Sequence, residues 1–337
     1  RLFRSSNKKY FTINPELPVS SKKDIAKEIL RIAIPITIGA SVMPLMNNID
    51  VALVMNRLID IGFTKEQANE TFGLLSGFVS TLINLPIAIT SAIQISIVPA
   101  VAASFVKREA QALKTTIESG VRMALVIGMP ATVGFMVLSE PILKLLYPFQ
   151  EASVKAASSI LFVFAPAVIF LGLFLVTTGI LQGLDLQTRP AINLFIGAIV
   201  KVILTYILVG IPAINVNGAA ISSVVAYAVA TVLNLLTLKK RAHIRFNLVQ
   251  VVIKPLVSSI GMGLVVYGVY FVSQMILSGN KSTFIAIIFG VVVYGYMLLA
   301  TGTLTDKDIQ MMPGGSKIKK VKRFLIEKKL IPFRKEG

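Results

Sequence analysis

Eight apolar runs, each long enough to cross a hydrocarbon core, constrain this chain more than any other feature. A spanning helix needs about 20 mostly apolar residues, and lipid offers the backbone no polar partner beyond its own helical hydrogen bonds. The runs are 29–55, 72–105, 113–138, 156–181, 190–211, 218–238, 249–277 and 284–301. They predict an all-α membrane protein with eight transmembrane helices. Charged residues make up 15% of the chain, against about 25% in a soluble domain. Ser21 or Asp24 in "SSKKD" is placed to cap the first helix. Pro190 falls in the first turn of the fifth, where its missing N–H costs nothing.

The basic residues set the orientation. If both termini share one face, 27 of the 34 Lys and Arg lie on that face, counting Arg31 at the start of the first run. Five lie on the other: Arg57, Lys65, Lys144, Lys155 and Lys281. Arg122 and Lys201 fall inside runs. The positive-inside rule then makes this a multi-pass cell-membrane protein with both termini of the chain cytoplasmic. The net charge of +18 is thereby explained without nucleic acid, because the basic residues are dispersed between apolar runs and form no face of a soluble fold. Cysteine is absent, which excludes disulfides and thiolate metal sites. The single histidine, His243 in "KKRAHIR", reads as a solvated loop residue. No metal and no cofactor is expected. The chain opens on Arg1, and "RLFRSSNKKYFTINPELP" lacks the apolar core of a signal peptide. It reads as the C-terminal part of a longer protein.

The pattern is not that of an enzyme. There is no nucleophile with a base, no paired carboxylates, no phosphate-cradling loop and no histidine cluster. Polar residues inside the runs are more informative, because they are costly in lipid and mark pathways or pairs. Asn47, Asn48 and Asp50 interrupt the first run in "PLMNNIDVAL", and Asn84 and Gln94 lie in the second. Glu118 and Arg122, four apart in the third, share a helix face and form a candidate local ion pair or substrate contact. Lys201 sits near the middle of the fifth run with no acid nearby in sequence. Two lone opposite charges in lipid tend to meet, so Asp50 and Lys201 are expected to pair. The alternatives are an Asp50–Arg57 contact, or Asp50 bound to Asn47 and water. At about 1.5 Å per residue the two charges differ in depth by roughly 13 Å if their helices start level. Pro86 and Pro99 in the second run are candidate hinges, with Asn84 and Gln94 as partners for the carbonyls they free; a static kink is the alternative. The small residues of "GAAISSVVAYAVA" suit close helix packing. In "SKIKKVKRFLIEKKLIPF", Ile318, Val321, Phe324 and Leu325 share one side of a helix among lysines, as in a helix lying on a membrane; a solvated basic tail is the alternative.

Two linked stretches, "LRIAIPITIGASVMPLMNNIDVALVMNRL" and "GFTKEQANETFGLLSGFVSTLINLPIAITSAIQISIVPAVAASF", are similar to the polysaccharide-export and MurJ-like branch of the flippase superfamily that also contains the MATE transporters. "GILQGLDLQTRPAINLFIGAIVKVILTYIL" followed by "NGAAISSVVAY" carries the same likeness, nearest to the stage V sporulation protein B group. Members have two six-helix lobes and two further helices. The resemblance implies a basic cytoplasmic inter-lobe segment at 1–28, a six-helix lobe at 29–241, the two extra helices at 242–302 and a basic cytoplasmic tail at 303–337. The first lobe is absent and would be a partner from the same protein. The implied activity is flipping of lipid-linked cell-wall saccharide precursors, undecaprenyl-pyrophosphate-linked, for peptidoglycan, polysaccharide or spore cortex, by alternating access and in contact with membrane lipids. The extra helices would contact the prenyl tail. A cation-coupled MATE-type multidrug exporter and a non-transporting membrane scaffold are the alternatives. In some lipid II flippases a carboxylate at the position of Asp50 helps bind sodium, with side chains from the helices matching the fifth and sixth. Lys201 and the lack of a second carboxylate depart from that pattern and put sodium coupling in doubt.

Overall fold

In the computed structural model of the chain, the residues described are 21–242, 246–277, 280–305, 308–309 and 315–328. They are helices joined by short turns, with no strand among them. The N-terminal segment 1–20, His243 and residues 329–337 of the basic tail lie outside the described residues.

α1 (Lys22–Asp60) is capped by Ser21, whose side chain accepts from the Lys23 amide. α2 (Lys65–Gly73) opens on a capping box in which Thr64 and Gln67 satisfy each other's amides. It runs through a π-helical turn, Leu74–Val79, into α3 (Ser80–Val106). The second span is therefore helical from Lys65, seven residues before the apolar run begins. α4 (Ala110–Val137) follows. α5 (Ser139–Leu146) is a short amphipathic helix that the apolar pattern does not announce. α6 (Glu151–Phe164) and α7 (Ala167–Gly183) are the two halves of the fourth run, bent by 47° at the break. Pro166 stands in that break, where a helix must lose a donor. α8 (Thr188–Val209), α9 (Asn217–Ala242), α10 (Lys254–Ile276, entered through a second π-helical turn) and α11 (Lys281–Ala300) match the remaining runs. α12 (Gly315–Glu327) lies in the basic tail. Among the described residues six helices are long and apolar enough to cross a membrane, and the bent pair α6–α7 makes a seventh.

Small residues decide which helices touch. α8 and α9 pack side by side where Gly197 meets Ala226 and Ala230; a Cβ on Gly197 would lie 2.6 Å from the Ala226 carbonyl oxygen. α7 closes on α3 in the same way, Gly179 facing the Gln94 carbonyl at 2.6 Å from its missing Cβ. In lipid such close approach supplies the dispersion contact that holds helices together. One core of buried side chains, with Leu58, Leu143, Ile160 and Leu161, joins α1, α2, α5, α6, α7 and α9. A second joins α3, α4 and α7 through Ile97, Ile117 and Ile180. α10 and α11 pair with each other and lie along α4 through α10.

Beyond α11 the chain turns at Gly302, in the left-handed conformation that favours glycine (φ 62°). It then folds back as a strap. Gln250 donates to the carbonyls of Gly302 (2.7 Å) and Thr303 (3.0 Å). Leu304 and Ile309 are buried against Val126 and Leu298.

Candidate functional site

α1 and α8 run side by side in one register. Gly39 meets Ala191, Asp50 meets Lys201, and the Arg57 guanidinium Nε donates to the Tyr206 carbonyl at 3.1 Å. Each contact joins residues about 150 apart in sequence, so the depths of Asp50 and Lys201 coincide. The expected mismatch disappears because α1 starts at Lys22 whereas α8 starts at Thr188. By that register some 15 residues of α1, about 22 Å, precede the level of Thr188.

Lys201 Nζ donates to Asp50 Oδ2. The Lys201 side chain is 4% exposed and that of Asp50 19%. The pair borders a cavity of 370 Å³ lined by Asn47 on α1, Ser76 in the π-helical turn, Ser80 and Asn84 on α3, and Ser223 and Tyr227 on α9. Phe72, Phe164 and Leu171 form its apolar wall. The π turn presents Leu75 and Ser76 to this space, and Ser80, the first residue of α3, bonds back to the Leu75 carbonyl at 2.8 Å. Such turns recur where a helix is locally rewound for function. No hydrophobic period marks it in the sequence; the hint is the glycine–serine content of "GLLSGFVS".

Other polar residues form a separate, buried network. Asn193 on α8 donates to Asn234 on α9 at 2.8 Å, and Asn234 donates to Thr177 at 3.1 Å and Thr178 at 3.4 Å on α7. Thr205 and Ser222 share a hydrogen bond of 2.6 Å across α8 and α9. Such bonds hold spans in register.

The structure redistributes the remaining candidates. Asn48 is exposed and lies outside the cavity. Glu118 and Arg122 do not pair. Arg122 Nε and Nη2 each donate to the Asp308 carboxylate at 2.9 Å, and Nη2 also reaches Ser119 Oγ at 3.1 Å. Glu118 accepts from the Asn247 amide at 3.4 Å. A planar guanidinium prefers two-point contact with a carboxylate held in place. Asp308 is so held, because the Thr305 amide and hydroxyl donate to it at 2.9 and 2.7 Å. The partner lies 186 residues away in sequence, and "TDKD", with its Thr-x-x-Asp capping spacing, was the available signal. Arg57 pairs with Asp60 at 2.7 Å and sits over the Tyr206 ring, so it leaves Asp50 to Lys201. Pro86 and Pro99 both lie within the continuous α3. Among the described residues Asn84 and Gln94 bond to no freed carbonyl; the Thr90 hydroxyl donates at 3.1 Å to the carbonyl of Pro86 itself, not to that of Leu82, which the proline frees.

The donor set around Asp50 does not suit the sodium ion that the resemblance implies. Lys201 places an ammonium on the carboxylate a cation would need, and among the described residues no second carboxylate lines the cavity. Among the described residues there is no cluster of three His, Asp or Glu.

Fold and cavity define a class: a multi-pass, all-helical membrane protein with a polar, charge-paired cavity inside the bundle. The family model described as lipid II flippase MurJ matches residues 18–290, and the chain belongs to that flippase family. The chain is 25% identical over 286 residues to the lipid II flippase MurJ of Bacillus subtilis (strain 168), covering 84% of this chain and 52% of that protein. It is 25% identical over 222 residues to stage V sporulation protein B of the same organism, covering 66% of this chain and 42% of that protein. It therefore spans about half the length of the curated relatives it matches. Its fold is similar to a lipid II flippase MurJ structure in an inward closed conformation, with a TM-score of 0.61 at 17% identity over 83% of this chain and 55% of that one. It is also similar to an outward-facing MATE family multidrug resistance transporter, with a TM-score of 0.54 at 17% identity over 90% of this chain and 70% of that one.

Proposed function

We propose that this chain is one lobe and the extra helix pair of a flippase that carries lipid-linked cell-wall saccharide precursors across the membrane by alternating access. In this reading α1 is the eighth span, residues 29–241 are the lobe, and α10 and α11 are the extra pair. Both ends of the chain are cytoplasmic. A second lobe of the same protein completes the transport path. The observation that carries the reading is the Asp50–Lys201 pair lining a polar cavity, in a chain whose family model covers 18–290. Charges at that depth are costly to bury, about 2.5–3.5 kcal/mol for one unpaired charge even on an insertion scale, so a pair kept there supports a functional role. The sugar and phosphate head is to move through the inter-lobe path while the prenyl tail stays in lipid, along the exposed apolar faces of α10 and α11 that carry Leu264, Phe284 and Val291. An ammonium–carboxylate pair can exchange a proton or act as a fixed gate, and it replaces sodium in the coupling. α3 bends near Pro86 and Pro99 as the lobes move.

The test is a charge swap in the complete protein, read by translocation of a lipid-linked disaccharide in proteoliposomes. Asp50→Lys and Lys201→Asp each abolish translocation, and the double swap restores part of it. If Lys201→Ala is silent while Asp50→Ala is inactive, the pair is not the working unit. Transport of cationic dyes without transport of the lipid-linked disaccharide would favour the multidrug reading instead. A complete protein locked by crosslinks between its lobes that still supported the cell would favour a scaffold.

A further inference from the structure

α12 is held against the bundle by its first turn. Ile318 packs on the cluster of Val126, Leu298, Leu304 and Ile309. The strap leading into it is pinned by the Arg122–Asp308 pair. Leu298 lies in the last turn of α11, so α12 begins at the level where a span ends. At 100° per residue, Ile318, Lys322, Leu325 and Ile326 share one face, and all four are half-buried. Val321 and Phe324 fall on the adjoining flank and are 51% and 55% exposed. Lys317, Lys320 and Lys328 surround that flank, all exposed. Over 315–328 there are six basic residues against one acidic, Glu327.

A solvated helix gains nothing from a valine and a phenylalanine turned away from its own protein. At the end of a span the same two side chains reach the boundary between headgroups and acyl chains, and lysine stems cover apolar surface while their ammonium groups stay at headgroup level. We propose that this open flank of α12 docks on an anionic lipid surface, Val321 and Phe324 entering the acyl boundary and the lysines meeting headgroup phosphates. The strap sets the height at which the helix meets that surface.

The chain has no tryptophan, so Phe324→Trp makes a single fluorescent reporter at an exposed position. The full chain carrying it is placed in nanodiscs of phosphatidylcholine alone or with phosphatidylglycerol, with brominated acyl chains as quencher. Quenching at least about threefold stronger in the anionic discs, reduced by salt and lost in Lys317→Gln/Lys320→Gln/Lys328→Gln, is the expected result. Equal quenching in both lipids overturns the recognition of charge. Emission that stays red and open to acrylamide in both overturns docking. Quenching that follows the number of chains per disc and not the lipid charge places a second copy on the flank and likewise overturns the proposal. Val321→Trp is the independent reporter, with circular dichroism confirming that each variant is folded.

Discussion

Removing the Asp308 carboxylate should release the strap. In Asp308→Ala the Arg122 guanidinium keeps its place inside the protein and loses both of its 2.9 Å bonds. The two side chains are 5% and 0% exposed, so solvent does not screen the loss. Breaking a buried pair from one side costs about 3–5 kcal/mol, and loss of the two bonds that the Thr305 amide and hydroxyl donate to the carboxylate adds about 1 kcal/mol. The local opening equilibrium of the strap therefore shifts by at least about 100-fold, at 1.36 kcal/mol per factor of ten. Because the chain has no cysteine, Ile309→Cys at a fully buried position gives a clean maleimide probe of opening. Labelling of that probe should be at least about 100-fold faster with Asp308→Ala than without, and a Leu304→Cys probe should agree. Replacing both partners, Arg122→Met with Asp308→Leu, should bring labelling most of the way back, because an apolar pair leaves no buried charge. If Asp308→Ala labels within about threefold of its parent, the pair does not hold the strap and the burial argument fails. The pH dependence has a definite sign. Burial pushes the Asp308 carboxyl up, but the hydrogen bonds and charge of Arg122, with those of Thr305, outweigh it and hold it below its ordinary 3.8. A depressed carboxylate stabilises the closed strap above its unfolded value and loses that contribution as pH falls through the folded value. Labelling should thus stay flat from neutral pH down to about pH 5 and rise only below about pH 4.

Other perturbations have equally definite outcomes. Gly197→Ala pushes a methyl into the Ala226 carbonyl and should lower thermal stability in detergent, by about 1–3 kcal/mol for an overpacked contact. Asn234→Leu strands the Asn193 amide and should destabilise by about 1–3 kcal/mol, with Asn193→Leu added to it recovering much of the loss; additive losses would mean the two are not a unit. Pro86→Ala in the complete protein restores a donor to α3 and should slow translocation; an unchanged rate would remove that hinge.

What could be read from the sequence was whatever lipid enforces locally. Apolar length placed α4, α8, α9, α10 and α11 within a few residues, because a span must satisfy its own backbone. Asp50 and Lys201 were legible as lone charges that must find each other. Their common depth was not, since it depends on how far α1 extends before the bundle begins. The Glu118–Arg122 expectation rested on spacing alone and failed because a better acceptor arrives from a strap 186 residues on. The π turn at Leu74–Val79 left no periodic trace, although it presents Ser76 to the cavity and leads into Ser80. α5 is too short to register as a span.

The overhang of α1 has a mechanical meaning. From Lys22 to Thr37 its described side chains are all exposed, and its contact with α8 begins near Gly39 and Ala191. The segment beyond that contact is a helical arm about 25 Å long, 17 residues at about 1.5 Å each, with Pro35 near its base. A tilt of about 10° about Gly39 sweeps its tip through about 4 Å at that length, while side chains close to the fulcrum barely move. Pulling or pushing on the segment before Lys22 therefore acts on the α1–α8 seam with leverage, and the Asp50–Lys201 pair, 11 residues or about 16 Å past the fulcrum on the other side, feels a smaller, opposite displacement.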